Sequence, residues 1–137
     1  MNANRIDWDK KYELGIEDID FQHHYFLNLI NRMAEELAQS DDMAYRTAVI
    51  SELNAYARFH FISEENLMTR AGYPGVERHR KHHRDLLDEL SSRQSELGIR
   101  KSNDAADKVI DFLINWFLSH TAEEDRRFAE YLREPGQ

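Results

Sequence analysis

Seven histidines (His23, His24, His60, His79, His82, His83 and His120) and no cysteine define the chemistry open to this chain. Five of them occupy slots that belong to the apolar seam of a helix. One seam reads Ile19, His23, Phe26, Ile30, Met33, Leu37, in steps of four and three. A second reads Val49, Leu53, Tyr56, His60, Glu64, Leu67, and a third Val76, His79, His83, Leu86, Leu90, Leu97. A fourth reads Val109, Leu113, Trp116, His120 and resumes at Asp125, Phe128, Leu132. Imidazoles and carboxylates facing a core are costly without partners. A lone inward histidine is commonly a hydrogen-bonded core residue, but seven inward polar groups at one level call for a metal. His60/Glu64 and His79/His83 each stand four residues apart, on one helix face, as chelating pairs do. His24 and His82 fall off the seams and are expected to face solvent.

Seven ligands are too many for one zinc ion, which takes four. Five imidazoles, two bridging carboxylates and one bridging hydroxide or oxide fill all but one position of two six-coordinate ions. One vacancy is what a small exogenous ligand requires. Carboxylate-rich di-iron oxidases and ferritins use Glu-x-x-His pairs, and none occurs here. The His-Glu-x-x-His of zinc proteases and the His-x-Glu with Pro-Cys-x-x-Cys of deaminases are absent too. Five neutral imidazoles stabilise high-valent iron less well than anionic ligands do. That balance favours reversible redox binding over oxidation of a substrate.

The elements that must position these groups follow from the breakers. Glycine and proline number seven in 137 residues, at Gly15, Gly72, Pro74, Gly75, Gly98, Pro135 and Gly136. Residues 16–71 and 99–134 contain neither, and long breaker-free segments favour helix over sheet. The first helix is expected to start near Asp18. Ser40-Asp41-Asp42 can end it and cap the second, Gly72 and Pro74 separate the second from the third, and Ser102 or Asn103 can cap the fourth. The step of five from His120 to Asp125 predicts a phase slip, of the π-bulge kind that tends to occur at functional sites. Short connections make neighbouring helices antiparallel. The expectation is an all-α, antiparallel up-down-up-down four-helix bundle over about residues 18–132. An N-terminal arm over about 1–17 carries Trp8, Leu14 and Ile16 as packing residues, and the whole of 1–137 is one domain. At about 1.5 Å of rise per residue, the starts of helices one and three meet the ends of two and four, and the seven inward groups converge.

Charge and hydropathy narrow the rest. Eighteen Lys and Arg against 26 Asp and Glu leave −8, which is unsuited to nucleic acid. The longest uncharged apolar stretch, Phe112 to Ser119, is far too short to span a bilayer. The polar N-terminus lacks a secretory core, so a cytoplasmic location is expected.

Four segments together carry a resemblance. They are Asp20-Phe-Gln-His23, His60-Phe-Ile-Ser-Glu64-Glu-Asn-Leu-Met68, Gly72-Tyr-Pro-Gly-Val-Glu-Arg-His79-Arg-Lys-His-His83, and Trp116-Phe-Leu-Ser-His120-Thr-Ala-Glu-Glu-Asp125. The chain resembles the hemerythrins, most closely the single-domain bacterial ones, from about Trp8 to Leu132. The resemblance implies a non-haem di-iron centre that binds O2 reversibly and is not an enzyme. It implies His79, His83 and His120 on one iron and His23 and His60 on the other, with Glu64, Asp125 and an oxo or hydroxo group as bridges. Oxygen is then held as hydroperoxide at the two-histidine iron, in a pocket implied at Phe26, Leu27, Trp116 and Thr121. Two departures stand out: Thr121 replaces a customary isoleucine, and Phe26-Leu27 reverses the usual Leu-Phe order. Alternative functions are an O2-, nitric oxide- or redox-responsive module acting through a partner, and a weak peroxidase or nitric oxide-reducing enzyme.

Overall fold

A computed structural model describes residues 7–40, 42–99 and 103–134, with side-chain surroundings for all but 96–99 and 103–106. A 3-10 turn, Lys10–Tyr12, precedes helices α1 (Glu17–Gln39), α2 (Met43–Ala71), α3 (Val76–Ile99) and α4 (Asn103–His120). A π-helical segment, Thr121–Asp125, then leads without a break into α5 (Arg126–Arg133). Both residues flanking the π segment keep right-handed helical angles, so α4, the π segment and α5 are one rod. No strand occurs among the described residues.

The four rods form a ring in which α1 and α3 each pack on α2 and α4. Side-chain pairs give the directions. Gln22 meets Ser63 and Arg32 meets Glu52 across α1 and α2. Gln94 meets Ser51 across α2 and α3, and the Arg93 guanidinium lies over the Phe112 ring across α3 and α4. Glu65 also meets His83 across α2 and α3, His83 meets His120 across α3 and α4, and His23 and Phe26 of α1 meet Asp125 and Phe117 of the fourth rod. At each interface one number rises as the other falls, so neighbours are antiparallel, as the short connections predict. The expected four-helix bundle is the architecture observed.

Local signals work largely as read. The Asp42 carboxylate caps α2 by accepting from the backbone of Ala44 at 3.0 Å and Tyr45 at 3.4 Å. Gly72 ends α2 at φ +69°, where its N–H returns to the carbonyls of Met68 and Thr69; a side chain would strain this left-handed turn. Helix α1 starts one residue before the expected Asp18 and has no side-chain cap. Asp20 instead reaches back to the N–H groups of Leu14 and Gly15, at 2.8 and 3.0 Å, and so ties the arm to the first turn. Ser102, a proposed cap for α4, lies outside the described residues.

The seams bury as predicted in α1, where Ile19, His23, Phe26, Ile30, Met33 and Leu37 are all in the core. Two positions of the fourth seam differ. Leu132 is 41% exposed, and Phe117 rather than Trp116 is the fully buried aromatic of α4. Leu132 lies in the last turn of α5, one residue before the helix ends at Arg133, while Phe128 and Ala129 are the buried residues of that helix. The arm closes one end of the bundle. Leu14 is buried with Ile19 and Ala129, Arg126 donates to the Lys11 carbonyl at 2.7 Å, and Arg133 donates to the Leu14 carbonyl.

Candidate metal centre

Elements α1, α2, α3 and the π-modified rod each deliver polar groups to one buried level. His23, His60, Glu64, His79, His83, His120 and Asp125 are all at most 5% exposed. They form two overlapping groups, Glu64–His79–His83–His120–Asp125 and His23–His60–Glu64. Every predicted inward polar residue is therefore at this site.

The π segment explains how Asp125 arrives. On a regular α-helix, residues five apart lie about 140° apart around the axis. Widening the turn returns them to one face. The His120 Nε2 and Asp125 Oδ1 atoms are consequently 3.0 Å apart.

The two carboxylates divide their oxygens between the two groups of imidazoles. Glu64 Oε1 lies 2.9 Å from His79 Nε2 and 3.2 Å from His83 Nε2, while Oε2 lies 3.7 Å from the Nε2 atoms of both His23 and His60. Asp125 Oδ1 lies 2.7 Å from His79 Nε2, while Oδ2 lies 3.1 Å from His23 Nε2. Each carboxylate thus turns one oxygen to a three-histidine pocket and the other to a two-histidine pocket.

Protons alone satisfy this cluster poorly, and that tests its fit to metal. His83 Nε2 faces both His120 Nε2 and Glu64 Oε1 at 3.2 Å, and the single proton it can carry cannot serve both. The buried Asp125 Oδ2 has His23 Nε2 3.1 Å away but not in good hydrogen-bonding orientation. Convergent Nε2 lone pairs around carboxylate oxygens suit a divalent metal.

Electrostatics without metal show the same tension. Burial by itself would lower the pKa of His23, His79 and His120, but hydrogen bonds and negative charge from Asp125 and Glu64 outweigh it and raise each to about 9. His60, with weaker compensation, is lowered by burial to about 3. Burial would raise the pKa of Glu64 and Asp125, yet the surrounding histidines hold both well below the carboxylate range. A metal needs neutral imidazole, so uptake must displace the protons on His23, His79 and His120. Uptake at pH 7.5 is expected to release protons, and apparent affinity to climb until the pH passes about 9. Titrating metal into weakly buffered protein with a pH indicator checks this; uptake with no proton release would contradict it.

Aromatic rings wall the pockets unequally. His83 stacks flat on Phe61 at 3.9 Å and His120 on Trp116 at 4.3 Å. The two-histidine pocket meets Phe117, 5.4 Å edge-on from His23, and Phe26, 6.0 Å from His60. Trp116, expected beside the two-histidine pocket, is therefore placed at the three-histidine one. Phe117, one residue on, stands four from Leu113 and three from His120, so seam spacing alone does not separate it from Trp116. Leu27 is buried in the central core. Thr121 is buried in the π segment and borders a cavity of about 670 Å³ lined also by Lys10, Tyr12, Leu118 and Arg126.

Off the seams, His24 is exposed and stacks on Trp8 at 4.7 Å. His82 is half-buried, with its ring 6.0 Å from that of His120, so it is less open to solvent than predicted. Neither is in the metal-capable groups. His24→Ala and His82→Ala are expected to leave metal content unchanged by elemental analysis.

An antiparallel helical bundle with a buried histidine–carboxylate cluster at one end of its core defines a class of metal-binding proteins. The chain belongs to the hemerythrin family: residues 14–132 match the hemerythrin HHE cation binding domain. It is 29% identical over 130 residues to a bacteriohemerythrin of Clostridium acetobutylicum, covering 90% of this chain and 98% of that one. It is 28% identical over 127 residues to a bacteriohemerythrin of Stenotrophomonas maltophilia, covering 92% of this chain and 80% of that one. A myohemerythrin of Riftia pachyptila is 22% identical over 121 residues, 88% of each chain. No helix among the described residues is long and apolar enough to cross a membrane.

Proposed function

We propose that His79, His83 and His120 hold one iron ion, that His23 and His60 hold a second, and that Glu64 and Asp125 bridge them in a centre that binds O2 reversibly. The observation that carries this reading is the division of oxygens: both carboxylates offer one oxygen to each histidine pocket. Two ferrous ions there would supply the two electrons that O2 takes on binding and returns on release. The three-histidine pocket has one imidazole more, so the two-histidine pocket is the side with room for O2. Phe26 and Phe117 line that side and offer water no hydrogen bonds. The chain is read as one domain, with the arm covering the bundle, acting in storage, delivery or scavenging of O2 rather than in turnover of a substrate.

Anaerobic loading should give about two irons per chain. Exposure to O2 should then produce a visible absorption band that disappears when O2 is removed, over repeated cycles. Irreversible oxidation at the first exposure, or a single zinc per chain, would overturn the reading.

Thr121 tests how dryness is kept. Its side chain is smaller than isoleucine and carries a hydroxyl that both donates and accepts hydrogen bonds. It follows His120 directly in the chain and borders a cavity walled partly by Lys10, Lys11 and Arg126. Thr121→Ile is expected to slow autoxidation several-fold without changing iron content. The decay of the visible band in air-saturated buffer measures it, and equal or faster decay would show that this position does not limit water entry.

A further inference from the structure

The two pockets are also backed unequally from outside. In the three-histidine pocket, His83 Nδ1–H donates to the Glu65 carboxylate at 2.7 Å. The other Glu65 oxygen faces Arg80 Nε at 3.5 Å, and Arg80 in turn donates to Glu77 and to Thr69 Oγ1. Glu65 is thus held from both sides. In the two-histidine pocket, His60 Nδ1–H donates to the neutral Gln22 Oε1, also at 2.7 Å. Gln22 Nε2 donates to Ser63 Oγ at 3.0 Å, which orients the amide with its oxygen toward His60. Tyr56 O–H donates to the Gln22 backbone carbonyl at 2.9 Å, which anchors the residue. The Nδ1 atoms of His23 and His120 have no hydrogen-bond partner. One imidazole in each pocket is therefore backed by a clamped side chain, and only one of the two backing groups is an anion.

A hydrogen bond from Nδ1–H fixes the tautomer that leaves the Nε2 lone pair facing the metal. A carboxylate acceptor also polarises the ring and raises its basicity as a ligand; a neutral amide does so less. We propose that Glu65 and Gln22 are positioning residues that make the two metal pockets unequal, with the carboxylate behind His83 giving the tighter pocket and the amide behind His60 the weaker. The proposal rests on the two-metal reading above. It gives a loading order, three-histidine pocket first. It also leaves the ion beside the proposed O2 position the more weakly held.

The test is anaerobic calorimetric titration of Fe(II) into the metal-free full chain. Wild type should take up two ions, the first more tightly. In a His60→Ala background, which keeps the three-histidine pocket alone, Glu65→Gln should weaken binding by about 10–100-fold. In the otherwise wild-type chain, Gln22→Glu should tighten the weaker step and narrow the gap, and Gln22→Ala should weaken that step alone. A purely structural role would instead lower the thermal midpoint of the metal-free protein and both steps together, so metal-free midpoints are measured alongside. Unchanged affinity in Glu65→Gln, or equal weakening of both steps by either residue's variants, overturns the proposal. Wild type that binds only one ion overturns the two-metal reading itself, a result distinct from either of those.

Discussion

Asp125→Ala and Glu64→Ala should each empty both pockets, whereas His60→Ala should empty one. Each carboxylate faces both pockets, so its removal takes an oxygen from each at once. It also removes negative charge that must offset two divalent ions in a buried site. His60 faces only the two-histidine pocket, where its Nε2 lies 3.7 Å from Glu64 Oε2. Iron content should fall from about two per chain to near zero in the carboxylate variants and to about one in His60→Ala, because ligand loss in a closed site costs the binding free energy that ordered it. Elemental analysis after anaerobic loading reads this directly. Equal residual iron in all three variants would show that the carboxylates do not bridge.

Removing the metal should cost stability on a comparable scale. Metal that binds the native state at 100 times its dissociation constant stabilises by about 2.7 kcal/mol, so two sites contribute about 5 kcal/mol. For a chain of this length the thermal midpoint should drop by roughly 15–20 °C on chelation. The metal-free centre is not without cohesion, since His23, His79 and His120 pair as cations with Glu64 and Asp125. Their pKa values are raised from 6.5 to about 9, so this pairing contributes fully below about pH 6.5 and is lost as the pH rises through about 9. His60, lowered to about 3, works in the opposite direction only below its ordinary value. The gap between metal-bound and metal-free midpoints should therefore widen from pH 6.5 to pH 9. Calorimetric scans with and without a chelator across that range test it; coincident midpoints, or a gap that narrows, would contradict the reading.

Helix number, direction and seam composition were legible without coordinates, because a buried stripe repeats every three or four residues and breakers punctuate it. His23, His60, Glu64, His79 and His83 declared themselves as polar residues in apolar slots. Even the distortion at Thr121–Asp125 was visible, since a step of five breaks the seam where two polar groups must share one face. What periodicity cannot supply is rotation about the helix axis finer than one residue. Trp116 and Phe117 both fit a seam beginning at Leu113, and only packing against α1 puts Phe117 beside His23 while Trp116 stacks on His120. Leu132 shares the face of the buried Phe128 but sits in the last turn of α5, and it is exposed. Gln22 and Glu65 lay one step outside the seams and carried no signal there. Their roles exist only across helix interfaces, where Gln22 of α1 meets His60 of α2, and Glu65 of α2 meets His83 of α3. One-dimensional spacing thus determined which residues turn inward and at what level. The division of each carboxylate's oxygens, and the groups that back each imidazole, were decided only when four rods set their faces against one another, since these contacts depend on side chains from different helices meeting at 2.7 to 3.7 Å.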